Sequence, residues 1–168
     1  MDLYLVRHAI AEERDETRWP DDRGRPLTPS GETRFRQAAR GVRALGARAT
    51  RVYSSPLVRA WQTAEILAAE AGWAAPVELP ALEPYNSPEG TVANLPPDWA
   101  GEAVAFVGHE PHLHLLAAHL LSGDASGVNV EFKKGAIACL EVDDADLSGR
   151  ATLKWLLPPK ALRALAAE

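Results

Sequence analysis

Three short strand-like runs, Leu3-Tyr4-Leu5-Val6, Arg51-Val52-Tyr53 and Ala103 to Val107, are separated by stretches whose apolar residues recur at helical spacing. This alternation constrains the fold more than any other feature of the chain. Strands that alternate with helices over the first 120 residues imply right-handed βαβ crossovers and a mostly parallel sheet with helices on both faces. A three-layer α/β/α architecture is therefore expected. In such sheets ligands collect outside the carboxyl ends of the strands, so residues just after each run are the first candidates for chemistry.

The helical stretches have readable ends. Thr28-Pro29 supplies an N-cap and a first-turn proline, and Phe35, Ala38, Ala39, Val42 and Leu45 then form an apolar stripe that ends at Gly46. Ser55-Pro56 opens a second helix through Leu57, Ala60, Trp61, Ala64, Leu67 and Ala71 to Gly72. A third starts at Pro111 and runs to Gly123. Val77 to Leu79 reads as a strand, Ala136 to Val142 and Leu153 to Leu157 as late strands, and the tail from Pro159 as a short helix. Pro80 to Pro97 carries no clear period. Ile10 to Leu27, eighteen mostly polar residues, reads as a long loop, and loops of that length usually serve a site.

With 168 residues, 46% of them apolar and 24% charged, a single domain over 1–168 is expected. The net charge is -5 and no run of five like charges occurs, which argues against a nucleic-acid partner. Any phosphate must then be held by a local cluster. Cys139, the one cysteine, sits among Ile137, Ala138 and Leu140 and reads as a packing residue of a strand. No basic segment precedes a long apolar stretch, and no apolar window approaches the roughly 20 residues of a membrane span, so the expectation is a cytoplasmic protein with no membrane partner.

Arg7 and His8 follow the first strand, Arg59 lies early in the helix after the second, and His109 follows Ala103 to Val107. All four can meet at one edge of the sheet. Guanidinium forks match phosphate oxygens, and helix N-termini add positive potential, so the pattern points to a phosphoryl group. A neutral histidine with one ring nitrogen pinned by an acceptor can attack phosphorus through the other, and nearby cations disfavour its protonation.

LVRHA at Leu5 to Ala9, SSPLVRAWQTA at Ser54 to Ala64 and VGHEPHL at Val107 to Leu113 resemble, in order and placement, the three signature segments of the histidine phosphatase (phosphoglycerate mutase-like) superfamily. RPLTPSG at Arg25 to Gly31, the short chain and LPPKALR at Leu157 to Arg163 most resemble its SixA-like phosphohistidine phosphatases. The resemblance implies a phosphoglycerate mutase-like fold. It also implies that His8 becomes phosphorylated, that Arg7, Arg59 and His109 bind the transferred group, and that no metal or other cofactor takes part. Many members carry an acidic proton donor between the second and third segments; the candidate here is Glu83. Glu110 departs from the family, where asparagine is common, and can either weaken anion affinity or orient His109.

The expected substrate is a phosphorylated protein, specifically phosphohistidine. Its imidazole leaves with a conjugate-acid pKa of about 6.5, whereas an alkoxide leaving group is nearer hydroxide, whose parent water has a pKa of roughly 15.7. Only 49 residues separate Arg59 from His109, which suggests an open site that a protein side chain can reach. A small phosphate ester, such as a sugar or nucleotide phosphate, is the alternative substrate, and a catalytically silent phosphate-binding module is the alternative from another class. A mutase would call for a more enclosed pocket.

Other residues have plainer readings. Gln62 decorates a solvent face, and His112, His114 and His119 lack zinc-ligand spacing and read as packing or surface residues. Arg14 to Arg25 reads as a solvated loop, in which Trp19 can shape substrate entry.

Overall fold

The computed structural model describes residues 1–166; the last two residues of the expected 1–168 unit lie outside the described residues. Six strands form one sheet: β1 (Asp2–Arg7), β2 (Arg51–Ser54), β3 (Pro76–Glu78), β4 (Ala103–Gly108), β5 (Ile137–Glu141) and β6 (Thr152–Leu157), in the order β3-β2-β4-β1-β5-β6. The pairs β3·β2, β2·β4 and β4·β1 are parallel, while β5 pairs antiparallel with both β1 and β6. Only β5 runs against the others. The mostly parallel sheet expected from the alternation is present, and the reversed strand belongs to the late pair that follows it.

β1 shows why the sheet needs helices on both sides. Tyr4 and Val6 enter one apolar core with Phe35, Ala38, Val42, Ala60 and Leu162, while Leu3 and Leu5 enter the other with Phe106, Leu113, Leu116 and Leu120. Each fully buried Val, Leu or Phe among them contributes about 1.5–3 kcal/mol, so both faces must be covered. The helices α1 (Pro29–Ala44), α2 (Val58–Ile66) and α5 (Pro159–Leu165) cover the first face; α3 (Pro88–Ala93) and α4 (His112–Ser122) lie on the second. Three layers result. Cys139 is buried in β5, where its neighbours placed it.

The Thr28 hydroxyl accepts from Gly31 N at 2.8 Å and caps α1, as the sequence indicated. A side chain at Gly41 would put its Cβ 1.7 Å from the Leu162 carbonyl oxygen, so α5 docks on α1 only because that position is bare. Gly31 plays the same part for the loop, since its Cβ would meet Ile10 O at 2.2 Å.

Two readings need correction. α2 begins at Val58 rather than at Ser55-Pro56: Ser55 N donates to Val107 O at 2.9 Å and keeps the chain in the sheet's ladder, and Leu57 remains extended. The helix then widens into a π turn over Leu67–Ala71 before Gly72. The region from Pro80 to Pro97 also contains structure, a 3-10 turn at Pro80–Leu82 and the six-residue α3. A helix of two turns has too few apolar positions to show a period, although Ser87-Pro88 marks its start, with the serine hydroxyl accepting from Gly90 N at 3.0 Å.

Candidate active site

The site forms where the sheet changes direction of winding. The chain passes from β1 to β2 across the position later filled by β4, so the carboxyl ends of β1, β4 and β2 lie side by side. Arg7 is in register with Gly108, and His8 N donates to Gly108 O at 3.0 Å. His8 and His109 therefore emerge together, with ring centroids 5.2 Å apart. Both are buried, at 6% and 1% exposure.

His8 is held by its own neighbour. Nδ1 lies 2.6 Å from Ala9 O, so in the neutral ring Nδ1–H donates there and the Nε2 lone pair is left free. Ala9 N in turn donates to Thr63 Oγ1 at 3.0 Å, and that hydroxyl donates to Arg59 O at 2.7 Å. Thr63 thus ties the turn after β1 to α2. Burial lowers the His8 pKa to about 3 against the opposing pull of the Ala9 carbonyl, helped by the Arg59, Arg7 and Lys134 charges. The ring is neutral near pH 7.

His109 Nε2 lies 2.8 Å from Ser55 Oγ, which also accepts from Leu57 N at 3.3 Å. In the tautomer in which Ser55 donates to Nε2, the His109 proton sits on Nδ1; that atom is buried with no hydrogen-bond partner among the described residues. It is a donor without an acceptor. Burial first, then His8 and Arg59, push the His109 pKa down to about 2.

Arg7 and Arg59 flank the two rings. Arg7 Nη1 donates to Phe132 O at 2.6 Å, fastening the segment before β5 to the end of β1. Arg59, in the first turn of α2, is 3% exposed. It donates through Nη1 to Asp22 O at 2.9 Å, and its Nη2 is 3.1 Å from Asp22 Oδ2. Burial lowers the pKa of both guanidiniums, with Glu110 opposing this at Arg7 and Asp22 opposing it at Arg59. The Nε atoms of both have no partner among the described residues. Unused donors therefore remain on Arg7, Arg59 and, in that tautomer, His109, while His8 keeps Nε2 free.

Asp22 was not legible as part of this cluster. It sits in a 3-10 turn, Asp22–Gly24, within the long loop, and also receives Arg25 Nε at 2.8 Å, which lowers its pKa first among several causes. The loop read as solvated is instead laced onto the site: Arg25 donates to Glu12 O at 2.7 Å, and Leu27 N donates to Gln62 Oε1 at 2.8 Å. Gln62 closes the loop rather than decorating a solvent face. Ser55, Thr63 and Asp22 all act through contacts distant in sequence, and the sole advance signal was the length of the loop.

Glu83, just past the 3-10 turn at Pro80–Leu82, pairs with Arg23 at 2.8 Å, next to Asp22 in the loop. Trp19 lies in the same loop, with the Arg18 guanidinium 5.3 Å from its ring centroid. His112 is fully buried and donates through Nε2 to Thr91 Oγ1 at 2.7 Å, since that hydroxyl donates onward to Ala81 O. It packs α4 on α3. His119 is 3.6 Å from Glu89 at the rim of the same contact, and His114 pairs with Glu110 at 2.5 Å.

Beside Arg7 opens a cavity of about 530 Å³ lined by Glu110, His114 and residues 129–133. No helix among the described residues is long and apolar enough to cross a membrane.

Residues 3–86 match the family model of the histidine phosphatase superfamily (branch 1). An uncharacterized protein of Picosynechococcus sp. (strain ATCC 27264 / PCC 7002 / PR-6) is 35% identical, over 94% of this chain and 100% of its own. Among solved structures, the protein histidine phosphatase SixA complexed with tungstate is similar with a TM-score of 0.82 and 27% identity, covering 96% of this chain and 99% of that one. A mycobacterial glucosyl-3-phosphoglycerate phosphatase shares the fold at a TM-score of 0.61 and 16% identity, over 91% of this chain and 96% of that one.

Proposed function

The chain belongs to the histidine phosphatase superfamily, in its SixA-like branch, and on that premise we propose that it is a single-domain phosphatase that hydrolyses protein phosphohistidine through a phosphohistidine intermediate on His8. The observation that carries the reading is the His8 ring: neutral, with Nδ1 committed to Ala9 O and Nε2 free, beside unused donors of Arg7, Arg59 and His109.

The reaction has two in-line steps. His8 Nε2 attacks phosphorus and the substrate's P–N bond breaks, its electron pair leaving on the substrate nitrogen. Arg7, Arg59 and the Nδ1–H of His109 hold the three equatorial oxygens as charge develops on them. Water then attacks phospho-His8, the new P–N bond breaks, and the neutral ring is restored. Ser55 keeps the His109 proton on Nδ1, and Asp22 holds Arg59. Glu83, anchored by Arg23, is the candidate donor for an ester leaving group, which needs a proton more than an imidazole does.

A SixA relative at 27% identity supports phosphohistidine as substrate, and a sugar-phosphate phosphatase with the same fold keeps the small ester as the second reading. Labelled phosphohistidine peptide and a panel of phosphate esters, given to the wild-type protein, separate the two by their kcat/KM. Acid-labile label on the protein, absent from His8→Ala, is the expected result. The variant should lose turnover by on the order of a thousandfold or more while still binding phosphate. Wild-type turnover in His8→Ala would end the nucleophile assignment, and phosphate binding without any turnover would return the chain to the silent module.

A further inference from the structure

Glu110 follows His109 directly, and it lines the cavity beside Arg7. Its Oε2 accepts from His114 Nδ1 at 2.5 Å, one turn further along α4. Its Oε1 is shut off from solvent with no partner among the described residues, so the acceptor site the carboxylate keeps toward the cavity is the second lone pair of Oε2. Arg7 is shared between this cavity and the phosphoryl site, which makes the cavity a place for whatever is attached to the phosphoryl group. The other titratable and charged residues lining the cavity are Arg7 on β1, His114 on α4, and Glu131 and Lys133.

A carboxylate is an odd choice beside a site for a dianion, since it repels phosphate. It becomes favourable if the other half of the substrate is cationic. A phosphorylated imidazole is such a group: it leaves as neutral imidazole only when its second ring nitrogen is protonated, and as imidazolate otherwise. The protonated form carries an N–H and a positive charge, which a carboxylate both accepts from and stabilises.

We propose that the cavity beside Arg7 is the leaving-group subsite, and that Glu110, oriented by His114, determines specificity by accepting a hydrogen bond from the second ring nitrogen of a protonated phosphohistidine. This rests on the phosphohistidine reading above. In the first step His8 Nε2 forms the new P–N bond, the old P–N bond breaks, and its electron pair cancels the imidazolium charge. The substrate ring departs neutral with its N–H still on Glu110. No proton has to move, which is why an imidazole substrate can do without a separate acid.

The test compares wild type with Glu110→Gln, which keeps the shape and removes the charge, on a phosphohistidine peptide and on p-nitrophenyl phosphate. The two substrates should move in opposite directions. Loss of one charge-assisted hydrogen bond is expected to cut kcat/KM for the peptide about tenfold. The basic limb of its kcat profile should shift to lower pH, because the bound imidazolium loses its stabilising anion. For the aryl ester, KM should fall, because a like charge has gone. His114→Asn, which leaves Glu110 without its anchor, should reproduce the peptide defect in milder form with its pH limb unmoved or only slightly lowered. A parallel loss on both substrates would mean that Glu110 only supports the fold or His109, and unchanged kinetics on both would remove it from the subsite; either overturns the proposal. Wild-type protein inactive on phosphohistidine but active on the ester is read before any variant, and it overturns the parent reading together with this one.

Discussion

Asp22 Oδ2 lies 3.1 Å from Arg59 Nη2, and the Asp22 backbone carbonyl receives the other terminal nitrogen at 2.9 Å. A residue from the middle of an eighteen-residue loop thereby fixes a guanidinium on a helix 37 positions away. Two of the five donors of that side chain are spent on orientation, and one negative charge sits beside a group suited to anions. Position is gained and potential is lost.

That balance can be measured. Asp22→Asn keeps the backbone contact and removes the charge, so inorganic phosphate should bind more tightly, by about fivefold for a dianion a few ångströms away in a partly screened site. The check is the inhibition constant of phosphate at fixed ionic strength. A weaker inhibitor would mean that orientation of Arg59 outweighs the local potential.

Ser55 should matter as much as its burial suggests. Ser55→Ala removes the hydroxyl that faces His109 Nε2, and the ring can then place its proton on either nitrogen. The expected result is a kcat lower by about ten- to a hundredfold, with a lower melting temperature because Leu57 N and His109 Nε2 lose a buried partner. The ¹⁵N shifts of His109 should move toward a tautomer mixture, which a merely structural serine would not cause.

Glu83→Gln breaks the 2.8 Å pair with Arg23, whose side chain is 51% exposed. Stability should change little, as for other solvent-screened pairs. If Glu83 serves as the donor for oxygen leaving groups, ester hydrolysis falls strongly while phosphohistidine hydrolysis barely changes. Equal rates on both substrates would remove it from the mechanism.

Three buried histidines set the acid side of the stability curve. His8, His109 and His112 have folded pKa values of about 3, 2 and 4, each depressed by burial from 6.5. Above 6.5 they are neutral in both states and cost nothing. Below it the unfolded chain takes up protons that the folded chain refuses, so stability falls as pH drops toward 4. Each ring contributes up to about 1.4 kcal/mol per pH unit. Urea midpoints at pH 7 and pH 5 give the slope, and NMR titration should show His8 still neutral at pH 5. A midpoint that does not move would mean that these rings accept protons in place.

The framework of the fold was legible for a local reason. Leu3 to Val6 reads as a strand covered twice, Phe35 to Val42 shows one apolar face, and Thr28-Pro29 starts a helix, because backbone geometry imposes periods of 2 and 3.6 on whatever is buried; Leu45, past the end of α1, is 41% exposed and falls outside the stripe expected to include it. α3 escaped because six residues are too few to display a period, and the start of α2 was misjudged because a hydrogen bond from Ser55 to β4 outweighed a local proline signal.

The candidate site divides in the same way. Arg7, His8, Arg59 and His109 stand at strand ends and in a first helical turn, and parallel topology alone brings such positions to one edge of a sheet. Their chemical states were not legible. Ser55 meets His109 and Asp22 claims Arg59 across 54 and 37 residues, while His8 keeps Nε2 free through a contact with the next residue, Ala9, that depends on how its ring is turned within the packed site. Sequence by itself determined the layered architecture and that Arg7, His8, Arg59 and His109 stand at one edge of the sheet. Tertiary structure alone decided where their protons and unpaired donors lie, because burial and hydrogen-bond partners, unlike periodicity, exist only once distant segments have packed.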